Sequence, residues 1–182
     1  MDHTNADLIR AFPEALRQDA LRVVSSFPEP SSTSERFSVR LRMETVLIPE
    51  RIYHDLALID STPLTPVQVE LLDGLLTRHH NGFVREEHLA KIVGSNRSWI
   101  PAFVIRLVGE YVIEILHLIR NNLQNFDPQL YRTFLADNPD FYAITKQRVV
   151  SYWYCYYRQL RREDYPGFQI LKYFESLVAA SN

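Results

Sequence analysis

Apolar positions along this chain follow two rhythms, and the rhythms predict its elements. Over residues 6–27, Leu8, Ile9, Phe12, Leu16, Ala20, Val23 and Phe27 recur at helical spacing and form one broad face. Pro13 lies inside that span, lacks an N–H donor and crowds the preceding turn, so it predicts a kink or a fresh start. Residues 28–35, PEPSSTSE, are rich in proline and serine and predict a loop or linker, which leaves the first helix as an arm. The rhythm then changes. Phe37, Val39, Leu41 and Met43 alternate with Ser38, Arg40, Arg42 and Glu44, the period of a half-buried strand. Residues 45–48, TVLI, return as a second strand after a turn near residues 42–44. A lone hairpin is marginal in water, so this one should lie against helices.

From residue 65 onward the rhythm is helical. Thr65 reads as an N-cap, Pro66 as the first helical residue and Gln68 as the return arm of a capping box. That helix runs to about His80, where Asn81-Gly82 ends it. Residues 83–93 make the next. A long, very apolar helix follows from about Ser98 through Asn121. Asp127-Pro128 and Asn138-Pro139 repeat the cap-then-proline signal and open two more helices, the second reaching about Arg162. Tyr165-Pro166-Gly167 interrupts the chain before a last helix to about Ala179. No fixed-period repeat is evident. The expected fold is mostly α: a stacked or orthogonal multi-helix bundle around the buried central helix 100–121, with a small β-hairpin near residues 37–48. Residues 1–35 are expected as N-terminal helix and linker, and residues 36–182 as one helical domain.

Composition narrows the function classes. The 182 residues are 46% hydrophobic, ordinary for a globular chain. The single cysteine, Cys155, permits no internal disulfide and suits a reducing compartment. The first residues, MDHTNADLIR, show no basic segment followed by an apolar one, so a cytoplasmic location is expected. Residues 100–119 are apolar enough to raise a membrane span, but Arg106, Glu110 and Glu114 sit near the middle, where a charge costs about 2.5–3.5 kcal/mol to insert. A net charge of −2 gives no overall footprint for polyanions. The cations are mostly arginine, with lysine at Lys91, Lys146 and Lys172, a bias that fits a GC-rich bacterial genome.

Two resemblances follow from particular residues. Asn81-Gly82-Phe83-Val84-Arg85 with Leu89 resembles one HEAT-type helical hairpin, in which an acidic residue and then Val-Arg often open the second helix. Val84 and Arg85 match; Asn81 replaces the acid, and His88 stands where a small residue is usual. The resemblance implies stacked helices. Residues 37–120 also resemble an uncharacterised group of mostly helical bacterial proteins with similar Ile-Pro, His-His and Gly-Glu-Tyr-Val sequences, which implies a fold and no activity.

Three clusters carry candidate chemistry. On the long helix, Arg106, Glu110 and Glu114 recur every four residues and His117 lies a turn on, a polar line on an apolar element. Glu114-x-x-His117 has the spacing of a di-iron ligand pair, which makes Glu110, Glu114 and His117 the metal or acid–base candidates. That site needs a second such pair, and none is present. An Arg106–Glu110 structural pair is the simpler account. His79 and His80, with His88 nearby, suggest zinc, but adjacent helical residues diverge and an imidazolium at a helix C-terminus explains them as well.

The third cluster is Tyr152-Trp153-Tyr154-Cys155-Tyr156-Tyr157-Arg158 with Arg161 and Arg162. Five consecutive helical positions cover the whole circumference, so some of these rings are core. Tyrosine, tryptophan and arginine together are also the make-up of interface hot spots. Tyr154, Tyr157, Arg158, Arg161 and Arg162 are therefore the expected partner-binding residues. Base stacking is the competing reading, and Glu163 and Asp164 weigh against it. G-x-S-x-G, P-loop, G-x-G-x-x-G and H-E-x-x-H sequences are all missing. The expectation is a non-catalytic, cofactor-free protein that binds another protein or itself, with a Glu/Glu/His enzyme and a nucleic-acid binder as the alternatives.

Overall fold

The computed structural model describes residues 6–28, 32–33, 35–59 and 63–179. Its contacts group the chain into two compact units, Met1–Ile92 and Val93–Asn182. The contacts therefore part after Ile92 and not at residue 35, where the sequence suggested a boundary.

In the first unit, Pro13 divides the expected helix 6–27 into α1 (Ala6–Ile9) and α2 (Arg17–Val24), with a 3-10 turn at Glu14–Leu16 between them. Leu8, Phe12, Ala20, Val23 and Phe27 are buried, as the periodicity requires. These helices are packed, not a projecting arm. The Leu47 N–H donates to the Arg10 carbonyl at 2.8 Å, Arg36 grips both oxygens of Asp7 at 2.8 and 3.1 Å, and Gln68 donates to Asp19 at 2.8 Å.

The residues predicted as a hairpin form one. β2 (Arg36–Leu41) pairs antiparallel with β3 (Glu44–Pro49), in register from Arg36↔Pro49 to Leu41↔Glu44. Two residues make the turn, and Arg42 takes a positive φ of 57° to close it. Val39, Leu41, Val46 and Ile48 are buried. A two-residue ladder between β1 (Ser32–Thr33) and β4 (Ile52–Tyr53) falls within and beyond the stretch read as linker, where two residues are too few to show a period.

α3 (Pro66–Leu76) begins with the predicted capping box: the Thr65 hydroxyl accepts from Gln68 N–H, and the Gln68 side chain accepts from Thr65 N–H. It stops before the expected His80, because the Thr77 hydroxyl turns back to the Gly74 carbonyl and residues 78–80 enter a turn. α4 (Gly82–Ile92) follows and packs against α3 as a hairpin.

The second unit is built on α5 (Ile100–Val108), all nine residues of which are buried. Trp99 packs edge-on against Phe103, ring centroids 5.5 Å apart, and pins the start of that helix. The long helix expected over 100–121 is broken: α5 ends at Gly109, and a separate α6 spans Ile113–Asn121. Glycine is a poor helix interior and a good terminator, and here a Cβ at Gly109 would lie only 3.2 Å from Cβ and Cδ of Arg148. α7 (Pro128–Asp137) starts at the predicted Asp127 cap, whose carboxylate accepts from Gln129 and Leu130 N–H. α8 (Pro139–Tyr156) stops six residues short of the expected Arg162, and α9 (Pro166–Ala179) closes the unit. α5 contacts α6, α7 and α8, so it is the buried centre of this unit. No described helix is long and apolar enough to cross a membrane.

Candidate functional site

His79 is committed to the fold of the first unit. His79 is buried; its Nε2–H donates to the His54 carbonyl at 2.8 Å, and its Nδ1 accepts from the Asn81 N–H at 3.1 Å. Both ring nitrogens are used, so His79 has no lone pair left for a metal. Burial depresses its pKa, with nearby His80, Arg85 and His88 adding to the shift against the opposing His54 hydrogen bond. A neutral His79 is the form that fits, not the imidazolium expected at this helix end. Arg85 supplies the positive charge there, one guanidinium nitrogen donating to the carbonyls of His79 and His80 at 2.9 Å each. His80 is exposed and stacks on Tyr53.

One polar pair in this unit had no sequence signal. The buried Asp73 carboxylate lies 2.6 Å from His88 Nδ1, and Lys91 Nζ is 3.8 Å from the same oxygen. The three are fifteen and three residues apart on α3 and α4, so only the hairpin brings them together. A carboxylate at Nδ1 fixes the imidazole tautomer and orientation, the arrangement that also supports histidine ligands and bases.

The Arg106–Glu110–Glu114–His117 line does not survive the break after α5. Arg106 lies in the last turn of α5, Glu110 lies in the break, and only Glu114 and His117 share α6. Arg106 and Glu110 are buried and neither lacks a partner; Glu114 is exposed and His117 half-buried. The expected i, i+4, i+8 face is therefore not formed: the spacing holds in sequence, but the helix is interrupted within it. Among the described residues no three His, Cys, Asp or Glu side chains come together to hold a metal ion.

The tyrosine-rich end of α8 is the larger surface feature. Tyr154 and Tyr156 are 62% and 59% exposed, and Tyr111, in the break between α5 and α6, is 49% exposed. Tyr111 lies 6.0 Å from both Tyr152 and Tyr156, Tyr152 lies 6.1 Å from Tyr156, and Tyr156 lies 6.4 Å from Tyr157, centroid to centroid. Tyr157 is half-buried; its hydroxyl donates to the Tyr111 carbonyl at 2.7 Å and so ties the end of α8 to that break. Burial raises the Tyr157 pKa, and the Glu114 charge adds to it.

The five expected contact residues divide. Tyr154 and Arg158 face solvent. Arg161 is spent on Asp164, at 2.8 and 3.2 Å, and on Glu163 at 3.2 Å. Arg162 lies over the rings of Trp153 and Phe168, 5.0 and 5.3 Å from their centroids. Tyr111, Tyr152 and Tyr156 join the face instead. Tyr111 could not be assigned to it while the chain around it read as continuous helix. Cys155 is exposed on the same stretch.

The geometry stands without relatives to compare it with: no family model matches the sequence, and no curated protein or solved structure matches it either.

Proposed function

We propose that the chain acts without catalysis, by binding another protein or a second copy of itself through the tyrosine face of its second unit. The observation that carries this reading is the connected group of rings at Tyr111, Tyr152, Tyr156 and Tyr157, of which Tyr111 and Tyr156 are about half exposed or more, with the exposed Tyr154 on the same helix end. A single exposed ring is ordinary, but adjacent rings offer large, stiff contact area at low entropic cost. Arg158 supplies a solvent-facing cation beside them, and the Glu114 charge acts on Tyr157 from α6. Adaptor, regulatory and toxin-neutralising roles all work through such a face. A bacterial cytoplasmic setting belongs to the same proposal and rests on the arginine-rich, single-cysteine composition.

Sedimentation velocity and capture from nuclease-treated host lysate test it, with wild type beside a Tyr156→Ala, Arg158→Glu double variant. Wild type should self-associate or retain one partner in stoichiometric amount. The double variant should weaken that association about 100-fold, the size of a lost hot spot, while its circular dichroism stays unchanged. A monomer with no stoichiometric partner, or a double variant that binds as wild type does, would refute the proposal.

A further inference from the structure

A cleft of about 460 Å³ opens in the second unit where the junction of α7 and α8 meets the last turns of α9. Leu135, Pro139 and Val178 give it apolar walls, and Tyr142, Lys146 and Glu175 bring polar groups to it. The volume is that of a small-molecule site, which falls between roughly 300 and 1,000 Å³.

Each polar group is incompletely used. Tyr142 is only 8% exposed, and its hydroxyl has no hydrogen-bond partner. Burial first, then the Glu175 charge, raises its pKa, which keeps it a neutral O–H donor. The Lys146 ammonium lies 4.9 Å from the centre of the Tyr142 ring and is paired with no carboxylate among the described residues. Glu175 is exposed and is paired with no cation among them. A cation and an anion therefore flank one aromatic ring at the mouth of an apolar cleft, and neither neutralises the other.

We infer that this cleft binds a zwitterionic small molecule with an apolar body, the chemistry shared by an apolar α-amino acid and a short apolar peptide. Lys146 holds the carboxylate, Glu175 holds the ammonium, and Leu135, Pro139, Val178 and the Tyr142 ring take the apolar body. A fatty acid would set its carboxylate against Glu175, and an alkylamine would set its ammonium against Lys146. The site joins the first turns of α8 to α7 and α9, shares no residue with the tyrosine face, and does not depend on that face.

The test is a two-dimensional amide NMR titration of the full chain with leucine, phenylalanine, leucyl-leucine, octanoate and octylamine in turn. At least one of the first three should shift the amides of Tyr142, Lys146 and Val178 saturably, and its affinity should exceed those of octanoate and octylamine about tenfold. Preference between the free amino acids and leucyl-leucine separates the two sources. Lys146→Gln and Glu175→Gln should each lower affinity about tenfold. Both side chains lie at the mouth, so the fold should survive, which circular dichroism checks. No saturable shift from any zwitterion up to about 10 mM, octanoate or octylamine binding as tightly as the zwitterions, or unchanged affinity in both variants would each overturn the inference.

Discussion

The two units bury different kinds of polar side chain. In the first, Arg78, His79 and Arg85 are buried around the α3–α4 turn and donate to named backbone carbonyls, those of Pro49 and Glu50, of His54, and of His79 with His80, while the buried His54 Nε2 has no hydrogen-bond partner. In the second, the core is a stack of rings. Phe126 lies flat on Tyr131 at 4.2 Å and Tyr131 lies on Phe174 at 5.7 Å, while the buried hydroxyls of Tyr131, Tyr142 and Tyr165 have no partner. Directional bonds hold one unit in a single arrangement and make it depend on protonation. Shape and apolar area hold the other, and there a polar tip is a cost.

That contrast can be broken most forcefully at Asp73. Asp73→Ala leaves the His88 Nδ1 proton buried without its acceptor, and the expected loss is about 2–4 kcal/mol in urea unfolding. Asp73→Asn keeps one acceptor oxygen and should lose less. Equal losses from the two would mean that cavity, not hydrogen bonding, sets the cost, and the first unit would then resemble the second.

In the second unit the matching weakness is steric. A Cβ on Gly167 would lie 2.6 Å from the Tyr165 ring and 2.9 Å from Val149, both buried. Gly167→Ala should therefore cost about 1–3 kcal/mol. Gly94 is the control: a Cβ there meets nothing within 4 Å, and Gly94→Ala should be neutral or stabilise by about 0.4–1 kcal/mol.

Acidification sharpens the contrast further. The pKa values of His54 and His79 are lowered, in both cases chiefly by burial. The unfolded chain therefore binds protons at these sites more readily than the folded one, so stability is full above pH 6.5 and is lost as pH falls below it. A proton on His79 Nδ1 also removes the acceptor for the Asn81 N–H. Exchange protection of the Asn81 and Ile52 amides, corrected for intrinsic rates, should drop between pH 7.5 and about 5.5. Fluorescence of Trp99 and Trp153, both in the second unit, should change little. A parallel change in both signals would undo the distinction.

Local chemistry was legible in the sequence and long-range chemistry was not. Thr65-Pro66 with Gln68, and Asp127-Pro128, fixed helix starts because a cap is made within four residues. The hairpin was legible because its partners are close and its rhythm is strict. The break at Gly109 was hidden, since Ile113, Leu116 and Ile119 continue the apolar rhythm although the helix is interrupted. With it went the Arg106–His117 line and the outward placement of Tyr111. His79 looked like a ligand because its true acceptor, the His54 carbonyl, is 25 residues away in a segment with no rhythm. The cleft joins Leu135 to Val178 across two helices, a juxtaposition no spacing encodes.

The finest test of the contrast is a single oxygen atom. Tyr131 is fully buried between Phe126 and Phe174, and its hydroxyl has no partner, so Tyr131→Phe removes a desolvated dipole and keeps the stack. The variant should be more stable by about 1 kcal/mol, read from urea unfolding followed by tryptophan fluorescence. Tyr157→Phe removes the same atom from a hydroxyl that donates to the Tyr111 carbonyl, and should cost about 0.5–1 kcal/mol. Opposite signs from one chemical change would show that the second unit tolerates unused polar atoms in its core and uses them at its edge. A loss from Tyr131→Phe would instead place a buried water on that hydroxyl, and the second unit would be held, like the first, by polar bonds.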